Sequence, residues 1–203
     1  MDVSVLLEPT IDLSRLAEVL DGLGHEGRVH ATRTWTKKRQ AAIYEAAKGQ
    51  SIDMAFLVPA SIGPLVEVIH DLHNTLPLFN DSQKRFCRLP PDDVARDGFE
   101  VAGYNHASTN PFTGPGYFVV RSVNASDGAD HEGELAIDYT KLPKSKPAGW
   151  PEIRDNNGGI GGLVYGGMTD YMRKVSSHVS IGRAYKGGKA MGAWFTLVRK
   201  DVA

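Results

Sequence analysis

Cys87 lies in Gln83-Lys84-Arg85-Phe86-Cys87-Arg88, the one cysteine of the chain set among three cations. Positive charge beside a thiol lowers its pKa and favours the nucleophilic thiolate. Such an enzyme also needs a histidine within hydrogen-bond reach as base. His106 and His178 are the candidates, although no spacing ties either to Cys87. The same bases, Lys84, Arg85 and Arg88, also suit an anion clamp, with guanidinium forks on a carboxylate or phosphate. The plainer account is a solvated basic turn with an incidental cysteine.

Residues 103–116 (GYNHASTNPFTGPG) gather Tyr104, Asn105, His106, Ser108, Thr109 and Asn110 without a formal charge. A polar loop of this length is suited to orienting a small ligand, with His106 as acid or base. Asn and Thr turn bonds explain the same composition. Gly158–Gly167 (GGIGGLVYGG) holds six glycines in ten residues. It lacks GxxxxGK[ST], and Val164 stands where GxGxxG needs its third glycine, so it reads as a flexible lid or a close backbone approach. His70 and His73 have HxxH spacing, but no third ligand or HExxH pattern accompanies them, and no metal site is expected. Asp138, His178 and Arg183 would form a satisfied buried network, or a catalytic dyad with its orienter, if the fold brought them together.

Positioning these side chains is the task of the elements. Ile11, Leu13, Leu16, Val19, Leu20 and Leu23 recur at helical spacing over 10–23. Residues 28–35 alternate weakly, as a strand would. Thr36 suits the N-cap of a helix from Lys37, with Gly49 as its stop. Residues 54–58 fit either a buried strand or an apolar helix. Pro64 suits the start of a helix through His73. Residues 116–123 and 133–139 are β-rich, 140–162 is a connection, and a short helix is expected over Asp170–Ser176. Last comes a hairpin, 177–185 and 190–199, around Lys186-Gly187-Gly188-Lys189. Pairing Lys186 with Lys189 sets Arg183 opposite Gly192, Ile181 opposite Trp194 and Val179 opposite Thr196. One face then carries Val179, Ile181, Arg183, Tyr185 and Trp194, the other Ser180, Gly182, Ala184, Phe195 and Leu197. Both are largely apolar, so the hairpin should be covered on both sides.

The expected fold class is therefore α+β, with helices mainly in the N-terminal half and an antiparallel β-sheet in the C-terminal half ending in the Gly-Gly hairpin. Residues 1–203 read as one domain, with a weak subdivision near residue 90. A chain of 203 residues, 41% hydrophobic and 23% charged, can bury a full core. One cysteine excludes an internal disulfide framework. The net charge of −1 conceals segregation: six acids against Arg15 over 1–26, five bases and no acid over 28–39, and seven bases and no acid over 171–200. Near-neutrality makes nucleic acid an unlikely partner. No stretch suits a bilayer span, and without a basic run before Val5-Leu6-Leu7 a cytoplasmic location is expected.

The leading functional expectation is a small-molecule-binding soluble domain for an apolar ligand with an anionic group, its site drawn from Tyr104, Asn105, His106, Arg183, Tyr185 and Trp194. The alternatives are an enzyme using His106 or His178 with Cys87, and a protein or nucleic-acid interaction module using the basic 171–200 segment. The sequence names no cofactor.

Overall fold

The computed structural model describes residues 10–76 and 80–201. Three helices come first, each set by local chemistry. α1 (Leu13–Asp21) starts where the Asp12 carboxylate accepts from Arg15 N at 2.9 Å, and it buries Leu16 and Leu20. α3 (Lys37–Ala46) starts at Thr36, whose hydroxyl accepts from Arg39 N at 3.4 Å, as the sequence leads one to expect. Between them, the strand expected over 28–35 is instead α2 (His25–Arg33). Its buried residues, Arg28, Val29, Ala31 and Thr32, recur at helical rather than alternating steps, and packing in the helical layer overrides the weak alternation. The ambiguous 54–58 run forms α4 (Met54–Leu57), capped by Asp53 accepting from Phe56 N at 2.8 Å.

The sheet is a closed barrel of eight strands: β1 (Val68–Asn74), β2 (Asp81–Arg88), β3 (Val101–His106), β4 (Tyr117–Ser122), β5 (Leu135–Asp138), β6 (Met168–Lys174), β7 (Val179–Lys186) and β8 (Lys189–Arg199). Each pairs antiparallel with the next, and β8 closes on β1 with Leu72 opposite Leu197. The sheet is thus antiparallel as expected, but it begins at Val68 and closes on itself rather than occupying the C-terminal half alone. Two expected helices are corrected in the process. The one from Pro64 to His73 is β1, where Val68, His70 and Leu72 are buried in alternation. Most of the one expected over Asp170–Ser176, up to Lys174, falls within β6, which pairs with β5 and β7. In both segments the apolar spacing fits either element, and the neighbouring strands supply the hydrogen-bond partners that decide.

The final hairpin turns at Lys186 and Lys189 as expected, but beyond a bulge the register moves by two. Arg183 faces Trp194, Ile181 faces Thr196 and Val179 faces Val198. Gly192, with φ 63°, lies in the extra stretch of β8. A shift of two preserves side-chain parity, so the two faces are those the alternation predicts. Phe195 and Leu197 join the barrel interior, while Val179, Ile181 and Val198 pack against α1–α3 around Trp35 and Ile43. A third apolar cluster (Cys87, Tyr104, Tyr117, Trp150) covers the outside of β2–β4 beside α5 (Pro91–Asp97). Gly182 makes room for the Phe195 ring, which would lie 2.4 Å from a Cβ there. Among the described residues no helix is long and apolar enough to cross a membrane.

His70 illustrates the cost of placing a polar group inside the barrel. Its Nε2 donates to Leu57 O at 2.9 Å and its ring lies 4.7 Å from that of Phe86. Burial pushes its pKa down to about 3, so the imidazole stays neutral. Between about pH 6.5 and pH 3 the unfolded chain binds a proton that the folded one does not, so this site makes stability fall as pH falls through that window and leaves it level above. Replacing His70 with Gln, which retains a donor but does not titrate, should flatten the curve. From pH 6.5 to pH 4 the wild type should lose about 3 kcal/mol more than the variant in urea unfolding. Equal losses would show that His70 is not the responsible group.

Candidate functional site

Two short helices, α6 (Asn110–Thr113) and α7 (Gly159–Tyr165), lie across one end of the barrel and pack together. The 103–116 segment is therefore mostly the end of β3, α6 and the approach to β4, and the glycine-rich run is mostly α7. Glycine here permits close backbone approach: a Cβ on Gly161 would lie 2.9 Å from Thr113 O. At Gly116 (φ 56°) a Cβ would lie 2.5 Å from the Tyr165 ring, which is stacked on Tyr139 at 5.5 Å. Asn156 anchors the preceding connection, donating to Tyr117 O at 2.6 Å and Tyr139 O at 2.8 Å. Lys186, at the hairpin tip, donates to Leu163 O at 2.7 Å.

Beneath these helices is a cavity of about 480 Å³, lined largely by apolar groups such as Leu72, Met168, Ala184, Ala193 and Phe195. Phe112, Ile160, Leu163 and Met191 are exposed on α6, α7 and the nearby β8. At the far end of the barrel, α4 contributes Phe56 and Leu57 to the interior core, and a hollow there is bordered by Asp53, Arg88 and Glu100.

Four polar side chains meet at the cavity: Lys84, Asn105, Tyr139 and Asp170. Strand register explains the first two, because Lys84 and Asn105 are directly paired across β2 and β3. Lys84 Nζ donates to Asn105 Oδ1 at 2.9 Å, to Asp170 Oδ2 at 3.3 Å and to the Tyr139 hydroxyl. It also lies 5.0–5.2 Å from the ring centroids of Phe118, Tyr139 and Phe195. Tyr139 in turn lies in donor range of Asp170 Oδ2, at 3.3 Å. Asp170 Oδ1 has no hydrogen-bond partner among the described residues.

The side chains of Lys84 and Asp170 are each only 3% exposed. Burial lowers the Lys84 pKa and raises that of Asp170, each shift being opposed by the partner's charge. Burial also pushes Tyr139 well above the ordinary phenol value. Proton exchange between amine and carboxylate is therefore easier than it would be in water. Chemically, the group can pair with a polar head, accept a hydrogen bond from a ligand at Asp170 Oδ1, or move a proton.

The remaining candidates lie elsewhere. Alternation along β3 turns Asn105 inward and Tyr104 outward, into the cluster with Tyr117 and Trp150. His106 borders a separate groove of about 410 Å³ with Arg33, Asp81 and Arg85, 3.3 Å from the Tyr104 hydroxyl. Arg183 is on the outer face, its guanidinium over Trp194 at 5.2 Å and Tyr185 at 5.5 Å. Trp194 also reaches the edge of the cavity.

Nor do Lys84, Arg85 and Arg88 converge on one anion. Arg85 pairs with Glu67 at 3.2 Å and Arg88 donates to Val58 O at 2.8 Å. Asp138 pairs with Arg121 at 3.3 Å, His178 with Asp201 at 3.2 Å and Arg183 with Glu45 at 3.9 Å, so that trio does not meet. The bases of 171–200 are likewise dispersed: Arg173 is buried on Glu134 at 2.6 Å, whereas Lys189 is exposed at the hairpin tip.

Cys87 is buried on the outer side of the barrel wall, and burial pushes its thiol up to about 12. Along the β2–β3 ladder it pairs with Ala102, four positions from the Gln83–His106 pair, a separation of roughly 13 Å. Iodoacetamide at pH 8 should leave the native thiol untouched and react with it once urea unfolds the chain. Rapid alkylation of the folded protein would contradict this placement.

Asp170 and Tyr139 are the site residues the sequence reading missed as such. A signal for Asp170 was present: it alternates with Met168 and Met172 on one face of a strand, an acid among apolar neighbours. Closed eight-stranded barrels have interiors that are either filled by side chains or able to hold one small ligand. Compared with protein-family models, curated proteins and solved structures, the chain finds no match, so the chemistry of the cavity is argued from its own geometry.

Proposed function

We propose that this protein binds a small, largely apolar molecule in the barrel cavity, with a polar head group against Lys84 and Asp170. The observation that carries this reading is an apolar cavity of about 480 Å³ with a buried ion-pairing couple in its wall and one carboxylate oxygen unpartnered among the described residues. Volume and lining both fall within the range of small-molecule sites, which combine apolar walls with a few placed polar groups. Apolar contact supplies most of the affinity, and the buried pair selects ligands that can hydrogen bond to it.

Titration with the polarity-sensitive dye N-phenyl-1-naphthylamine tests the reading. Saturable one-to-one binding, competed by medium-chain alcohols or carboxylic acids, is the expected result, and a dye that does not saturate, or that no such competitor displaces, would overturn it. Arg183→Met is the matched control. Because its guanidinium lies outside the barrel, its removal should leave dye affinity within a factor of about two.

A further inference from the structure

Lys84 has more than a charge to offer a ligand. Its side chain lines the cavity, and its Nζ is held on Asn105, Tyr139 and Asp170 among aromatic rings. The Asp170 carboxylate beside it, at 3.3 Å, can take a proton from the ammonium, and the Tyr139 hydroxyl bridges the two. A desolvated lysine with an adjacent proton acceptor, in the wall of a largely apolar chamber, has what an amine nucleophile toward carbonyl groups requires. We propose that Lys84 condenses with an apolar aldehyde or ketone held in the cavity to form an imine; this rests on the reading that the cavity binds small apolar molecules.

The step balances without any further reagent. Lys84 gives a proton to Asp170, and the freed nitrogen lone pair attacks the carbonyl carbon. A C–N bond forms as the carbonyl π pair moves to oxygen, which takes the proton from Asp170. The resulting carbinolamine nitrogen then returns a proton to Asp170. That proton leaves with the hydroxyl as one water while the nitrogen lone pair forms the C=N bond. The products are a protonated imine, the Asp170 carboxylate and water, with the net charge of the pair unchanged. Asp170 then serves as counter-ion to the iminium, as it did to the ammonium, and the apolar walls limit the water that would reverse the reaction. Ligands of this class have a carbonyl at one end and an alkyl or aryl body that fills the chamber.

Reductive trapping reads this directly. The full-length protein is incubated with octanal and sodium cyanoborohydride, then examined by intact mass and peptide mapping. The expected result is one octyl addition, mapped to Lys84, forming ahead of any addition at the exposed lysines and slowed by 1-octanol, which has the chain but no carbonyl. The addition should be lost in Lys84→Met and in Lys84→Met/Asp170→Asn, the second variant guarding against misfolding of the first, with circular dichroism confirming the fold. If 1-octanol displaces the dye yet Lys84 is not labelled, the imine is overturned and the binding reading stands. If neither octanal nor 1-octanol displaces the dye, both are overturned.

Discussion

Lys84→Met is expected to destabilise the protein by about 3–5 kcal/mol at pH 7. The substitution roughly preserves volume, so the cost is electrostatic. Asp170 would keep its buried position while losing the cation that opposes its desolvation. The Tyr139 hydroxyl and Asn105 amide would remain, but they cannot supply the missing charge. Equilibrium unfolding in urea measures the effect. Adding Asp170→Leu should recover most of the loss, because a buried ion pair replaced by apolar groups is often neutral or stabilising. The pH dependence has a definite sign. In the single variant the Asp170 pKa lies above its unfolded value, so the folded chain binds more protons and stability increases as pH is lowered from 7 toward that of an ordinary carboxyl. A loss below about 1 kcal/mol, with no relief by the second substitution, would show that water or a rearranged donor already solvates Asp170.

The second large effect is on binding. Ala184 lines the cavity and lies opposite Asp170 in the β6–β7 pairing. Ala184→Phe projects a ring into the chamber and should weaken dye and ligand affinity roughly a hundredfold, equivalent to about 2.7 kcal/mol. Stability should change little, because the ring enters open volume rather than a filled core, where overpacking costs about 1–3 kcal/mol. Circular dichroism and urea unfolding separate the two contributions. An Ala184→Phe protein that folds and binds with unchanged affinity would place the ligand outside the barrel, with the His106 groove the next location to test.

Much of the fold was legible because it is local. The apolar spacing over 10–23 marks α1, Thr36 starts α3 with its own side chain, and Gly187-Gly188 turns a hairpin within four residues. The faces of β7 and β8 follow from alternation, and parity survived even a two-residue register shift at Gly192. Where local patterns were ambiguous, they misled. Val68, Ile69 and Leu72 satisfy a helical spacing as well as an extended one, and the same holds over 170–176. Only β2, β8 and the neighbouring strands, offering backbone partners on both sides, made these segments β.

The candidate site divided along the same line. Lys84 and Asn105 stood out in the sequence by type, but as members of two unrelated groups, a basic clamp and a polar loop. Their cross-strand pairing and the inward side of each strand dissolved both groups and joined one residue from each. Composition, caps, turns and alternation were determined by the sequence alone, because each depends on residues a few positions apart. That Lys84 meets Asp170, 86 residues further along, was decided only by closure of the barrel, which makes two distant inward-facing strand positions into neighbours in one desolvated chamber.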